Sequence, residues 1–120
     1  MNHSVDIHAV LKQMNINKYI RFTDTLLSND KLRDFYTTSY GFELMFKLYN
    51  QSQLETNMHI DELYSSLNSR LPRREAFGQY INRLHKSNNI EKKIHSQKKS
   101  MKSIVLSEHI ITELNKVFER

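Results

Sequence analysis

Ten Lys and Arg residues fall between Arg70 and Lys102, against two acids, Glu75 and Glu91, so this segment carries +8 in a chain whose formal net charge is +5. Such a concentration suits a polyanion, because each phosphate neutralised by a cationic side chain releases a condensed counterion. The residue types are graded along the segment. Arg73, Arg74 and Gln79 belong to the types whose side chains hydrogen-bond base edges. Arg70, Arg83 and Lys86, followed by Lys98, Lys99 and Lys102, are suited to gripping phosphates, which position a protein without reading sequence.

These side chains need elements to hold them. Phe77, Ile81 and Leu84 recur at helical spacing, which predicts a helix over about 72–87. Pro72 would be its first residue, where a missing N–H costs nothing. That stripe faces inward and leaves Arg73, Arg74, Glu75, Gly78, Gln79, Asn82, Arg83 and Lys86 outward, with Tyr80 free to pack inward or face a ligand. Two arginines in a first turn oppose the helix dipole, an arrangement that bound phosphates or guanine edges would relieve. Asn88-Asn89 ends the helix, since Asn tolerates the left-handed conformation. Ile90, Lys92 and Ile94, then Met101, Ile104 and Leu106, alternate around a polar turn from His95 to Ser100 and predict a basic hairpin.

Upstream, Ile60, Leu63, Tyr64 and Leu67 predict a two-turn helix, with a short strand at Met58. A strongly apolar helix is expected from about Tyr40 to Ser52, with its cap in Thr37-Thr38-Ser39. Ile7, Val10, Leu11 and Met14 lie on one face of a first helix. The apolar face then shifts near Asn15, which predicts a bend or two helices with different partners. Leu32, Phe35 and Tyr36 mark a short helix after Ser28-Asn29-Asp30. Ser107 opens a last helix with Ile110, Ile111, Leu114, Val117 and Phe118 on its apolar side.

Composition narrows the classes. Two Gly and one Pro lie far below average usage and argue against all-β folds and phosphate-binding glycine loops. The absence of cysteine removes disulfides, thiolate metal sites and thiol redox sensing. The six histidines show no metal-ligand spacing, and no acid pairs with a nucleophile or base, so neither metal, cofactor nor enzyme activity is expected. The first residues lack a secretory signal pattern, and no apolar run approaches the roughly 18 residues of a membrane span. A cytoplasmic, nucleoid-associated protein with no membrane partner is expected.

Short helix, break, longer helix and basic hairpin is the order of a winged helix-turn-helix, in which the second helix enters the major groove. The chain resembles the MarR/SarA-like winged-helix regulators over roughly residues 40–120. The resemblance rests on the stretch Met58 to Leu67, on Phe77-Gly-Gln-Tyr-Ile-Asn-Arg-Leu-His-Lys-Ser-Asn-Asn-Ile90, and on Gln97 to Glu108 with its Leu-Ser-Glu helix opening. It differs in three ways: Lys98 and Lys99 replace the family's Asp-x-Arg-Arg wing, Asn88 or Asn89 replaces a glycine, and the turn before the 72–87 helix is about three residues longer.

The resemblance implies a single mainly α winged-helix domain over 1–120, with a small β-hairpin wing. Helices in 1–36 and 107–120 would dimerise, and 40–106 would form the DNA-binding core. It also implies a homodimer on double-stranded DNA, a regulator of transcription, with room for a small-molecule effector at the junction of the two regions. The residues themselves leave two other classes open: a protein-interaction, replication or partition module, and a nonspecific architectural binder.

Overall fold

Apolar spacing over the first segment produces one helix without a break. In this computed structural model, which describes residues 6–94 and 102–119, α1 spans Ile7–Leu27, and its N-cap Asp6 accepts a hydrogen bond from the Ala9 amide at 3.2 Å. The two separate helices that the face shift near Asn15 allowed are one helix. The shift of apolar face instead marks a change of surroundings along a continuous helix. Phe22 and Leu26 pack into the fold, whereas Ile7, Val10, Leu11, Met14 and Tyr19 are exposed.

Asn29 accepts from the Lys31 amide at 3.0 Å and caps a 3-10 helix over Asp30–Tyr36, which buries Leu32 and Phe35. α2 (Gly41–Gln53) begins at Tyr40, with no side-chain cap, rather than from the hydroxyl run Thr37-Thr38-Ser39. Aromatic packing sets this start: the Tyr40 ring lies edge-on to Tyr80 at 5.3 Å and 5.8 Å from Phe77. Gly41 then passes so close to its neighbours that an added Cβ would overlap the Phe35 carbonyl oxygen and come within 2.6 Å of the Tyr80 hydroxyl oxygen.

β1 (Met58–His59), α3 (Ile60–Ser66), α4 (Arg74–Lys86), β2 (Ile90–Ile94), β3 (Lys102–Leu106) and α5 (Glu108–Phe118) complete the order. The three strands form an antiparallel sheet in the order β1-β3-β2, with Ile90 opposite Leu106 and Met58 opposite Ile104. Leu44, Leu48, Leu63, Phe77, Ile81, Leu84, Ile90, Leu106 and Leu114 meet in one buried cluster. At about 25 cal/mol per Å² of apolar surface removed from water, this shared burial is the main force holding helices and sheet together. Among the described residues no helix is long and apolar enough to cross a membrane.

An acid that the sequence pattern did not single out joins the two ends of this unit. Glu113 of α5, only 8% exposed, accepts from Asn29 Nδ2 at 3.1 Å and Lys31 Nζ at 3.0 Å, with Lys116 Nζ at 3.3 Å. The bonds from Lys31 and Asn29 pull its pKa down to about 2, against the burial that would raise it.

Two outcomes are expected. A folded pKa depressed below the ordinary 4.5 means that the Glu113 contribution is complete above that pH and is lost as pH falls towards 2. Acid unfolding followed by circular dichroism should therefore be shallower over that window in Glu113→Gln than in the parent, and parallel curves would contradict the assignment. Gly41→Ala should cost about 3 kcal/mol or more in urea denaturation, the upper range for overpacking.

Candidate nucleic-acid interface

The helix pair α3–α4 is built from its caps inward. His59 opens α3 with a capping box: its Nδ1 accepts from the Glu62 amide and the Glu62 carboxylate accepts from the His59 amide, each at 3.4 Å. After Leu67 the chain turns through 67–73 before α4 begins. Glu43 of α2 clamps the start of this turn. Its carboxylate accepts from the amides of Asn68 and Ser69 at 2.8 Å and from the Ser69 hydroxyl at 2.8 Å. Burial alone would raise the Glu43 pKa, but these backbone and side-chain hydrogen bonds together outweigh it and hold the group below the usual carboxylate value.

The far end of the turn is held by Tyr64, whose hydroxyl donates to the Pro72 carbonyl at 2.7 Å. This corrects the expected start of the helix. Pro72 precedes the N-cap Arg73, and the first intrahelical bond runs from the Phe77 amide to the Arg73 carbonyl at 3.0 Å. α4 thus begins two residues later than its proline suggested, and the Pro72 carbonyl, outside the helix, accepts from Tyr64.

Inward, α4 buries Phe77, Tyr80, Ile81 and Leu84. Tyr80 therefore faces the core, and its hydroxyl donates to the Asp34 carbonyl at 2.8 Å. Steps of about 100° per residue put Glu75, Gln79, Asn82 and Lys86 together on the outward stripe, and all four are exposed. Arg74 and Arg83 lie on opposite flanks of that stripe. The Arg74 Nε donates to the Asp61 carboxylate of α3 at 2.7 Å, so an acid within the fold, rather than an external phosphate, compensates one of the two first-turn arginines. The Arg83 guanidinium sits 5.5 Å from the Tyr80 ring centroid, within cation–π range. Arg73 is exposed at the cap, and Arg70 is exposed in the turn.

Asn88 closes α4 with φ 63°, the left-handed conformation expected of it, so an asparagine serves where glycine is usual. Asn89 is buried. Its Nδ2 donates to the Asp34 carboxylate at 2.7 Å and its carbonyl accepts from the Ser107 amide at 3.0 Å. One residue thus joins the 3-10 helix, the start of the hairpin and the start of α5. In the hairpin, Lys92 reaches back to α4 and donates to the Asn82 side-chain carbonyl at 2.6 Å. Lys102 is exposed at the start of β3, and Lys98 and Lys99 lie outside the described residues.

Sequence reasoning missed Glu43, Asp61 and the Asn82–Lys92 link. The outward position of Asn82 was readable from the helical period, but pairings across 10 or more residues leave no mark in a local pattern. Glu43→Gln should loosen the turn while α4 itself stays folded. The Asn68 and Ser69 amides should exchange with solvent about tenfold faster, as for loss of one charge-assisted hydrogen bond, and unchanged exchange would show that the clamp is idle.

No protein-family model and no curated protein matches the sequence. Solved structures do. MepR of Staphylococcus aureus bound to ethidium bromide aligns with a TM-score of 0.66 at 12% identity, over 98% of this chain and 79% of that one. The S. aureus MepR–DNA complex aligns with a TM-score of 0.58 at 16% identity, over 92% and 83% of the two chains. RV1404 of Mycobacterium tuberculosis gives 0.61 at 16% identity, over 99% and 74%. The likeness is one of fold: this chain has the mainly helical winged helix-turn-helix architecture, with its small antiparallel hairpin, expected from the MarR/SarA-like pattern.

Proposed function

We propose that this protein is a transcriptional regulator of the MarR/SarA-like type that binds double-stranded DNA as a homodimer. α4 would lie in the major groove and the β2–β3 hairpin on the adjoining backbone or minor groove. The observation that carries the reading is the outward stripe of α4, Glu75, Gln79, Asn82 and Lys86, flanked by Arg74 and Arg83 and continued by a basic hairpin tied to it through Asn82 and Lys92. MepR, a protein of similar fold, is a transcription regulator of a multidrug efflux pump and has been solved in complex with DNA, which supports DNA as the partner. Arg73, Arg74 and Gln79 are assigned to base edges. Arg70, Arg83, Lys86, Lys98, Lys99 and Lys102 are assigned to phosphates.

Dimerisation is supported by shape and by unpartnered apolar surface. The radius of gyration is 18.0 Å and the longest extent 72 Å, whereas a compact chain of this length would have a radius of about 14 Å. Ile7, Leu11, Met14 and Tyr19 are more than half exposed on α1, and Phe118 of α5 is 45% exposed. Surface of this kind marks an association site. A second copy would cover it, so that 1–36 and 107–120 dimerise while 40–106 bind DNA. A cleft of about 620 Å³ between α1 and α2, lined by Tyr19, Phe42, Glu43, Phe46 and Lys47 among others, lies at the junction of these regions and offers the place for a small effector.

Selection from a random pool of duplex DNA tests the reading. A palindromic consensus is expected, with half-sites about 10 base pairs apart or a multiple of that. Affinity should fall about 1,000-fold or more between roughly 50 and 200 mM salt. Gln79→Ala should relax preference at one position of each half-site, whereas replacing Lys98 and Lys99 by Ala should weaken all sequences evenly. Enrichment without a consensus would indicate an architectural binder, and no enrichment would indicate a protein-interaction module.

A further inference from the structure

We propose that Asp61, together with the bare Cα of Gly78, is a specificity-determining cradle that presents the Arg74 guanidinium to a base edge. The inference rests on the DNA-binding reading above and deepens it. Asp61 sits in the first turn of α3, Arg74 in the first turn of α4, and the Asp61 Oδ1 to Arg74 Nε distance is 2.7 Å. The pair spans the turn between the two helices. Arg74 Nη1 lies 3.1 Å from the point that a Cβ on Gly78 would occupy. The guanidinium is therefore bounded by a carboxylate on one side and by a helix turn without a side chain on the other.

Stability does not account for this arrangement. The Arg74 side chain is 40% exposed and that of Asp61 68% exposed, and an ion pair so open to water contributes little. Its electrostatic effect on DNA affinity is adverse, because Asp61 places a negative charge beside the surface assigned to phosphates. What the pair does provide is order. A free arginine side chain samples many rotamers and must lose that freedom to make a directed contact. Pairing through Nε leaves the Nη groups as donors, and a guanidinium fixed in plane can fork onto guanine O6 and N7. Gly78 supplies the space: alanine there would press on Nη1.

A double-mutant cycle separates this positioning role from a bland one. Arg74→Ala, put through the same selection as the parent, first identifies the base position at which discrimination depends on Arg74. Asp61→Ala should then lose about tenfold discrimination at that position, while its affinity for a scrambled duplex holds or rises because an acid has gone. In the Arg74→Ala background, Asp61→Ala should change discrimination no further. Undiminished discrimination in Asp61→Ala, or an equal fall for consensus and scrambled DNA, would overturn the role of Asp61 and leave the regulator reading intact. If the parent protein itself selects no consensus, both fail together.

Discussion

The docking of α4 against the 3-10 helix and the start of α2 governs what the rest of the molecule can present. Phe77, Tyr80, Ile81 and Leu84 are buried along one stripe, each contributing about 2 kcal/mol by its removal from water. Tyr80 adds direction to this otherwise nondirectional force. Its hydroxyl bonds the Asp34 carbonyl, its ring meets Tyr40 edge-on, and Gly41 leaves the room beneath it. Rotation of α4 about its axis would break these contacts together. The face carrying Gln79 and Asn82 is therefore outward as a consequence of how the opposite face is anchored.

The acids make the second layer of control. Asp34, Glu43 and Glu113 are each spent inside the fold: on Asn89, on the turn amides of Asn68 and Ser69, and on Lys31 with Lys116. None of the three lies in the basic segment between Arg70 and Lys102. These three carboxylates thus join loops to helices and do not add negative charge to the basic segment. Asp61 differs from these three because it stands forward beside Arg74, as Glu75 does on the outward stripe of α4.

α1 belongs to two environments. Its last turns enter the core through Phe22 and Leu26, with Phe22 tilted against Phe118 at 5.3 Å, so α1 and α5 are joined. Its earlier turns leave that core and carry apolar side chains into solvent. A helix of about 31 Å that is packed over only part of its length is held rigidly at one end. It extends the molecule well beyond the size of its own core.

Much of this was written locally. The stripe of Phe77, Ile81 and Leu84, the alternation in β2 and β3 and the left-handed Asn88 all follow from periodicity and backbone preference within a few residues, and the fold class followed with them. Other features depended on groups far apart in the chain. The start of α4 at Arg74 goes with a contact across eight residues, Tyr64 to the Pro72 carbonyl, whereas a proline by itself favours a helix start. The unbroken α1 comes from the absence of Gly or Pro near Asn15, and the change of apolar face accompanies a change of neighbours along one helix. Glu43 reaching Asn68, Glu113 reaching Lys31 and Asp61 reaching Arg74 are pairings that a charge count does not contain. The sequence by itself determined which faces were apolar, which segment was basic and where the helices and hairpin would form, because those properties arise from neighbouring residues. Only the tertiary structure decided which charges are consumed within the fold and which remain outward, because that depends on distances between side chains that the chain brings together only when it folds.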